Sequence, residues 1–277
     1  MIELIDSHAH LQGAEFESDR EAVIERSQAA GVGTIVVPAV DLASAQAAIS
    51  LARRYAAVYA TAGCHPHEAK DCGPAAVAAI EALLDAPEAI AVGEIGLDFY
   101  RMHSSRPQQL AIFAAMLALA ARRALPVVVH CRDAWEEMLP ILEAWSKGVG
   151  QSFDGRPLGV MHYFTGSAAI ALRYVELGLL VSIHTSVTHP KAAALREVAA
   201  TLPLESLLIE TDSPYGAPQA QRGRRNEPAY VVEAAKAIAA LRDLSLTEVA
   251  AATTANARRL FRLDSTSLPR AATEARV

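Results

Sequence analysis

The chain has 277 residues, is 52% hydrophobic and carries a formal net charge of −6. That length suits one α/β barrel or two smaller domains. The acidic balance excludes the global basic footprint of a protein that coats nucleic acid, though not an enzyme that grips a strand end with metals and a few arginines.

Ile2, Leu4 and Ile5 predict a short buried strand leading into DSHAHL, residues 6–11. His8 and His10 stand two apart at its end, and side chains so spaced in an extended chain share a face. Two imidazoles there make half of a metal site. Asp19 to Ala30 predicts a helix closed by Gly31. A second strand follows at 33–40, an Ala-rich helix at Leu42 to Arg54, and a third strand at 57–67 that ends in His65 and His67. Pro74 opens a helix to Ala86, in the first-turn position that suits proline. The fourth strand, 89–98, ends in Glu94, and Ser105 and Pro107 start a long helix to Ala124. The fifth strand, 125–133, ends in His130, and Trp135 to Trp145 is helical before a polar loop to Pro157. The sixth strand, 158–166, ends in His162, and Ser167 caps a helix that stops at Gly178. The seventh strand spans 179–186, and Pro190 opens a helix to Ala200. The eighth strand, 206–214, ends in Asp212, and helices follow at Tyr230 to Leu241 and Leu246 to Phe261.

Eight short β-branched runs, each followed by a helical pattern, predict a parallel sheet closed into a single (β/α)8 TIM barrel over residues 1–263. An open doubly wound sheet is the alternative, and the lack of GxGxxG or GK[ST] weighs against its nucleotide-binding forms. Residues 264–277 lack periodicity and read as a flexible tail. Cys64, Cys72 and Cys131 form no CxxC and no even set, as expected of reduced thiols in a cytoplasmic protein. No apolar run reaches the roughly 20 residues that cross a bilayer. The chain opens directly on a strand, leaving no room for a signal peptide.

A barrel of this kind carries its chemistry at the carboxyl ends of its strands. Four imidazoles (His8, His10, His130, His162) and two carboxylates (Glu94, Asp212) stand there, with His65 beside them. A carboxylate inside AVGEIG or after LLIET is buried among apolar residues and needs a cation or a strong partner. Six ligands are too many for one tetrahedral ion and suit two ions with open positions. His8, His10 and Asp212 are assigned to one metal, His130 and His162 to the other, with Glu94 between them. A hydroxide shared by both ions is the expected nucleophile, and Asp212 its general base.

With these motifs in place the sequence resembles the TatD family of metal-dependent deoxyribonucleases, within the amidohydrolase-like barrels. The likeness runs over residues 2–262 and includes DSHAHL, GCHPH, GEIGLDFY, LPVVVHCRDA, HYFTGS, ETDSP, RGRRNEP and TTANARRLF, in the family's order. The resemblance implies a TIM barrel, divalent metal and hydrolysis of phosphodiester bonds from the 3′ end of DNA. It also implies that His8, His10, Glu94, His130, His162 and Asp212 are metal ligands and that His65 lies near substrate or metal. The sequence departs from the family at Tyr163, where a small residue is frequent, at His184 and His189, and in a longer 146–157 loop.

Arg222, Arg224 and Arg225 form a local positive patch after the last strand, suited to phosphate oxygens, with Asn226 and Glu227 bracing it. Arg101 and Arg132 are further candidate phosphate contacts, and Asp98 and Asp133 candidate supports. Tyr100, Tyr163 or Phe164 could stack on a base. The expected function is a 3′–5′ exodeoxyribonuclease acting on single-stranded or nicked DNA ends. The alternatives are a small-molecule amidohydrolase or esterase, for instance on an aminoacyl ester, and a metal-bound but idle binding partner. The imidazoles suit zinc, manganese, iron or cobalt, whereas the resemblance implies magnesium-supported activity. A monomer fits the reading, with the oligomeric state open.

Overall fold

The computed structural model describes residues 2–263, and the tail expected at 264–277 lies outside the described residues. In chain order the elements are β1 (Leu4–Asp6), α1 (Arg20–Ala29), β2 (Val32–Val37), α2 (Leu42–Arg54), β3 (Val58–Ala62) and α3 (Pro74–Leu83). There follow β4 (Ala89–Asp98), α4 (Arg106–Arg123), β5 (Val127–Arg132), α5 (Trp135–Val149), β6 (Gly159–Met161) and α6 (Ala168–Glu176). The chain ends with β7 (Leu179–His184), α7 (Ala193–Thr201), β8 (Leu207–Glu210), α8 (Val231–Arg242) and α9 (Leu246–Phe261). The strands pair side by side in sequence order, every pair parallel. The first and last strands meet through three backbone hydrogen bonds: Ser7 N–H to Ile209 O (3.1 Å), Asp212 N–H to His8 O (2.8 Å) and His10 N–H to Ser213 O (2.8 Å). This is the expected (β/α)8 barrel.

The sequence explains the elements locally. Strands covered on both faces need continuous apolar runs, and every residue of LLVSIH in β7 and LLIE in β8 is buried. Asp41 and Ser44 form a capping box at the start of α2, and Ser105 with Gln108 and Ser245 with Glu248 do so for α4 and α9. Two boundaries differ from expectation. Helix α5 runs on to Val149, because Val149, Phe153 and Leu158 bury a small apolar cluster against Trp145 that a polar loop could not fill. Helix α7 starts at Ala193 rather than at Pro190, because residues 185–188 turn first and Ala192 N–H is tied to His189 O.

The amino-terminal end of the barrel is sealed. Ile5, Val36, Ala91, Val128, Val160, Leu180 and Leu208, from seven strands, cluster with Ala257, Leu260 and Phe261 of α9 and with Leu263. Asn256 fixes that helix by donating to Leu204 O and Leu207 O, and Thr254 by donating to Glu3 O. At the other end β4 and β5 approach closely only because residue 96 is glycine. It has φ of 143°, and a Cβ there would lie 1.9 Å from His130 O. No helix among the described residues is long and apolar enough to cross a membrane.

Candidate metal centre

Strand ends and the residues just beyond them bring the chemistry together. Glu94 lies within β4 and His130 within β5, whereas His162 directly follows β6, and His8, His65 and Asp212 stand two or three residues past β1, β3 and β8. Glu94 is 3% exposed, and its two oxygens face different partners. Oε2 lies 3.4 Å from His8 Nε2 and 3.9 Å from His10 Nε2. Oε1 lies 2.9 Å from His162 Nε2, 3.1 Å from His130 Nδ1 and 3.3 Å from His65 Nε2. Asp212 Oδ1 sits 3.4 Å from His10 Nε2 and 3.6 Å from His8 Nε2. The rings of His8 and His162 stack 3.7 Å apart.

These atoms form three overlapping groups, each with donors within 4.8 Å of one another: His8, Glu94 and His162; His8, His10 and Asp212; His65, Glu94 and His130. The donor set fits a divalent cation. Imidazole nitrogens of His8 and His10 point at each other across 3.3 Å, and both face carboxylate oxygens, an arrangement that a shared cation satisfies better than a single proton. Burial alone would push the Glu94 carboxyl up, but the facing imidazoles of His162 and His65 outweigh it and hold the acid well below its ordinary value. Burial likewise opposes ionisation of Asp212, and the hydrogen bond and charge of His10 bring it down to about 2. Burial pushes His65 down to about 4, which keeps its imidazole neutral and able to donate a lone pair to a metal.

A second set of carboxylates aims these ligands. Asp98 Oδ2 lies 3.2 Å from His130 Nε2 and 2.9 Å from His67 Nε2, so the proton of His130 sits on the side away from Glu94. Asp98 Oδ1 accepts from the N–H of Tyr100 and of Arg101. Glu210 Oε1 lies 3.4 Å from His162 Nδ1 and accepts from Tyr163 N–H at 2.5 Å, which holds Tyr163 at φ of 44°. Asp6 accepts from Thr211 N–H and Oγ1–H and from His8 N–H, tying the first strand end to the last. Burial pushes Asp6 up to about 8 despite those bonds. Asp6 and Glu210 are functional residues that the sequence signals only by a carboxylate at the end of an apolar run, the signal that also marks Asp212.

The centre opens into a cleft of about 1210 Å³. Arg101 and Arg132 line it, as do Tyr100, Tyr163 and Tyr215. Arg222, Arg224 and Arg225 do not line it. Arg225 instead grips Asp19 with both terminal nitrogens, at 2.6 and 2.8 Å, and covers the ring of Phe16. Asn226 is buried and donates to the carbonyls of Thr211 and Tyr215, and Glu227 pairs with Arg26. Phe164 packs under Trp135 and is 1% exposed, which removes it as a stacking surface. His184 is fully buried against Tyr163, its ring beneath Gly216, and burial lowers it to about 4. His189 Nε2 contacts Ala217 O at 2.8 Å.

Residues 5–262 match the family model of the TatD-related DNases. The chain is 38% identical over 262 residues to an uncharacterized metal-dependent hydrolase, YabD of Bacillus subtilis, covering 94% of this chain and all of the relative. It is 39% identical over 263 residues to the 3′-5′ ssDNA/RNA exonuclease TatD of Salmonella typhimurium, covering 93% of this chain and 98% of that one. Among solved structures, the TatD homolog YjjV of Escherichia coli K12 superimposes with a TM-score of 0.86 at 32% identity, over 94% of this chain and 98% of the other. A matched model over nearly the whole barrel, and relatives above 30% identity over their full length, agree with the metal-binding geometry at the strand ends: the chain belongs to the TatD-related DNase family and is a metal-dependent hydrolase.

Proposed function

We propose that this protein removes nucleotides from the 3′ end of single-stranded DNA with the help of two divalent ions. One observation carries the reading: the two oxygens of a single buried carboxylate, Glu94, face two separate sets of nitrogens. His8, His10 and Asp212 would hold one ion, and His65, His130 and His162 the other, with Glu94 near both sets. His65, expected as a substrate contact, joins the second set because its Nε2 stands as close to Glu94 as the neighbouring ligands do. The names carried by the relatives, a 3′-5′ ssDNA/RNA exonuclease among them, support phosphodiester as the substrate.

When bound, such ions neutralise phosphate charge and bring the pKa of water toward neutrality. Asp212 is ionised throughout the neutral range and takes the proton of the attacking water. Asp98 and Glu210 keep His130 and His162 in the tautomers that turn their free lone pairs inward. Arg132 and Arg101, at the cleft wall, pair with non-bridging phosphate oxygens.

The test is a paired assay on metal-stripped protein restored with magnesium, manganese or zinc. A 3′-labelled and a 5′-labelled single strand are followed, with Asp212→Ala as control. Metal-dependent shortening from the 3′ end that vanishes in the variant is expected. Absence of cleavage with about two bound metals per chain would turn the reading toward amide or non-phosphate ester substrates, which the position of the Arg222–Arg225 loop outside the cleft favours.

A further inference from the structure

Among the described residues, five large apolar or aromatic side chains are well exposed, and two of them, Tyr100 at 60% and Tyr215 at 58%, line the cleft. An exposed tyrosine inside a cleft offers a ligand a flat apolar face with a polar tip. Each has its backbone N–H tied to an acidic residue of the centre, Tyr100 to a side chain and Tyr215 to a backbone carbonyl. Tyr100 follows Asp98 by two residues and donates its N–H to Asp98 Oδ1 at 3.0 Å, while Asp98 Oδ2 faces His130. Tyr215 follows Asp212 by three residues and donates its N–H to Asp212 O at 3.0 Å, while Asp212 Oδ1 faces His10. Asn226 holds the far side of the Tyr215 peptide by donating to its carbonyl at 2.7 Å. The backbone of Tyr100 is thereby tied to the acid that faces His130, and that of Tyr215 to the acid that faces His10, whose ring Tyr215 also meets edge-on at 6.3 Å. Arg132 lies over the Tyr100 ring at 4.0 Å, which adds a planar cation to that side.

Resting on the phosphodiesterase reading, we infer that Tyr100 and Tyr215 are specificity residues that stack the two nucleobases flanking the scissile phosphate, one on each side. An acidic protein whose arginine-rich loop lies outside the cleft has little long-range attraction for a polyanion. Stacking supplies affinity without it and tolerates any base, since every base has a flat face. It also selects single strands, because a base held in a duplex has no free face to offer. The tyrosines stand beyond the reacting atoms, so their loss falls on KM more than on kcat.

The experiment uses the manganese-loaded enzyme and single-stranded oligonucleotides carrying 2-aminopurine, or an abasic tetrahydrofuran unit, at the last or the penultimate position. Stacking on a ring quenches 2-aminopurine without requiring cleavage. The wild type is expected to quench both probes and to show a roughly 5- to 100-fold higher KM for each abasic strand. Tyr215→Ala is expected to lose the quench at one position and Tyr100→Ala at the other, each with loss of the abasic penalty there. Tyr→Phe at either position keeps both. Both side chains are exposed, so folding of the variants is checked simply by circular dichroism. Cleavage with unchanged quench and KM in both alanine variants overturns the stacking inference and leaves the nuclease reading standing. Quenching without any cleavage removes the nuclease reading and with it the placement of the two bases about a scissile phosphate, and absence of both removes the two together.

Discussion

The two ends of this barrel are built from the same strands and obey opposite rules. At the amino-terminal end Ile5, Val36, Val128, Val160, Leu180 and Leu208 are closed over by Leu260 and Phe261 of α9, with no charge in the cluster. At the carboxyl-terminal end, a few residues further along β1, β4, β5, β6 and β8, the same strands present His8, Glu94, His130, His162 and Asp212. One end lowers free energy by removing apolar surface from water. The other gathers carboxylates and imidazoles whose burial is unfavourable unless a cation satisfies them. Stability and chemistry are therefore separable along each strand, and substitutions at the two ends should fail in different ways.

The largest effect is expected at Glu94. Glu94→Ala removes the one group that faces both nitrogen sets, and metal content and hydrolysis should fall together. Elemental analysis of the purified variant checks this, and retention of two ions per chain would remove the shared-carboxylate assignment. The fold should survive, because the variant also relieves a buried charge. At the opposite end Leu260→Ala should cost about 2–5 kcal/mol of stability, the usual range for truncating a fully buried leucine. Denaturant unfolding measures the loss, while metal content and rate of the folded fraction should stay at wild-type values. A Leu260→Ala enzyme that lost metal would show that the two ends are coupled after all. Asp212→Asn comes next, with at least about a hundredfold lower kcat, the scale of a lost general base. Its metal content should fall less than that of Glu94→Ala, since His8 and His10 remain.

The contrast between the ends also explains what could be read beforehand. The strand pattern, the barrel and the convergence of six ligands were legible because apolar runs with a polar residue at the end are visible in one dimension. The Ala-rich run expected as a helix over Leu42 to Arg54 is α2 to the residue, and its Asp41–Ser44 capping box is local. The roles of Glu210 and Asp6 are not legible in sequence, because His162 and Tyr163 in the one case and Thr211 in the other come from other strand ends and only closure of the barrel joins them. For Phe164, expected as one of the candidate stacking surfaces, sequence gives no sign of which way an aromatic near His162 turns. In the fold it packs against Trp135 in the helical layer, while Tyr163 turns to the cleft. The arginine loop differs in another way, since RGRRNEP is basic in sequence while the Asp19 carboxylate that Arg225 grips lies far upstream.

That loop supplies the smallest and most discriminating test. Arg225 donates to both oxygens of Asp19 and to Glu15 O, and stands against Glu227, so its geometry is that of a brace between α1 and the last βα connection. The Arg225 hydrogen bonds hold Asp19 below its ordinary carboxylate value. A depressed acid stabilises the fold above the unfolded value, near 3.8, and that contribution is lost as pH falls through the lower folded value. The pair is about one-third exposed, so solvent screening keeps the effect to about 1 kcal/mol or less. Arg225→Ala should therefore lower stability slightly at pH 7, and the gap to wild type should start to shrink as pH falls below about 3.8, where the unfolded chains take up the proton, and close once Asp19 is protonated in folded wild type as well. Denaturant titrations at pH 7 and pH 3.5 read this difference directly. In the same variant KM for a single strand should change less than in Arg132→Ala, because Arg132 lines the cleft and Arg225 does not. A larger rise in KM for Arg225→Ala, with no loss of stability, would return the loop to the role its sequence suggested, a grip on phosphate.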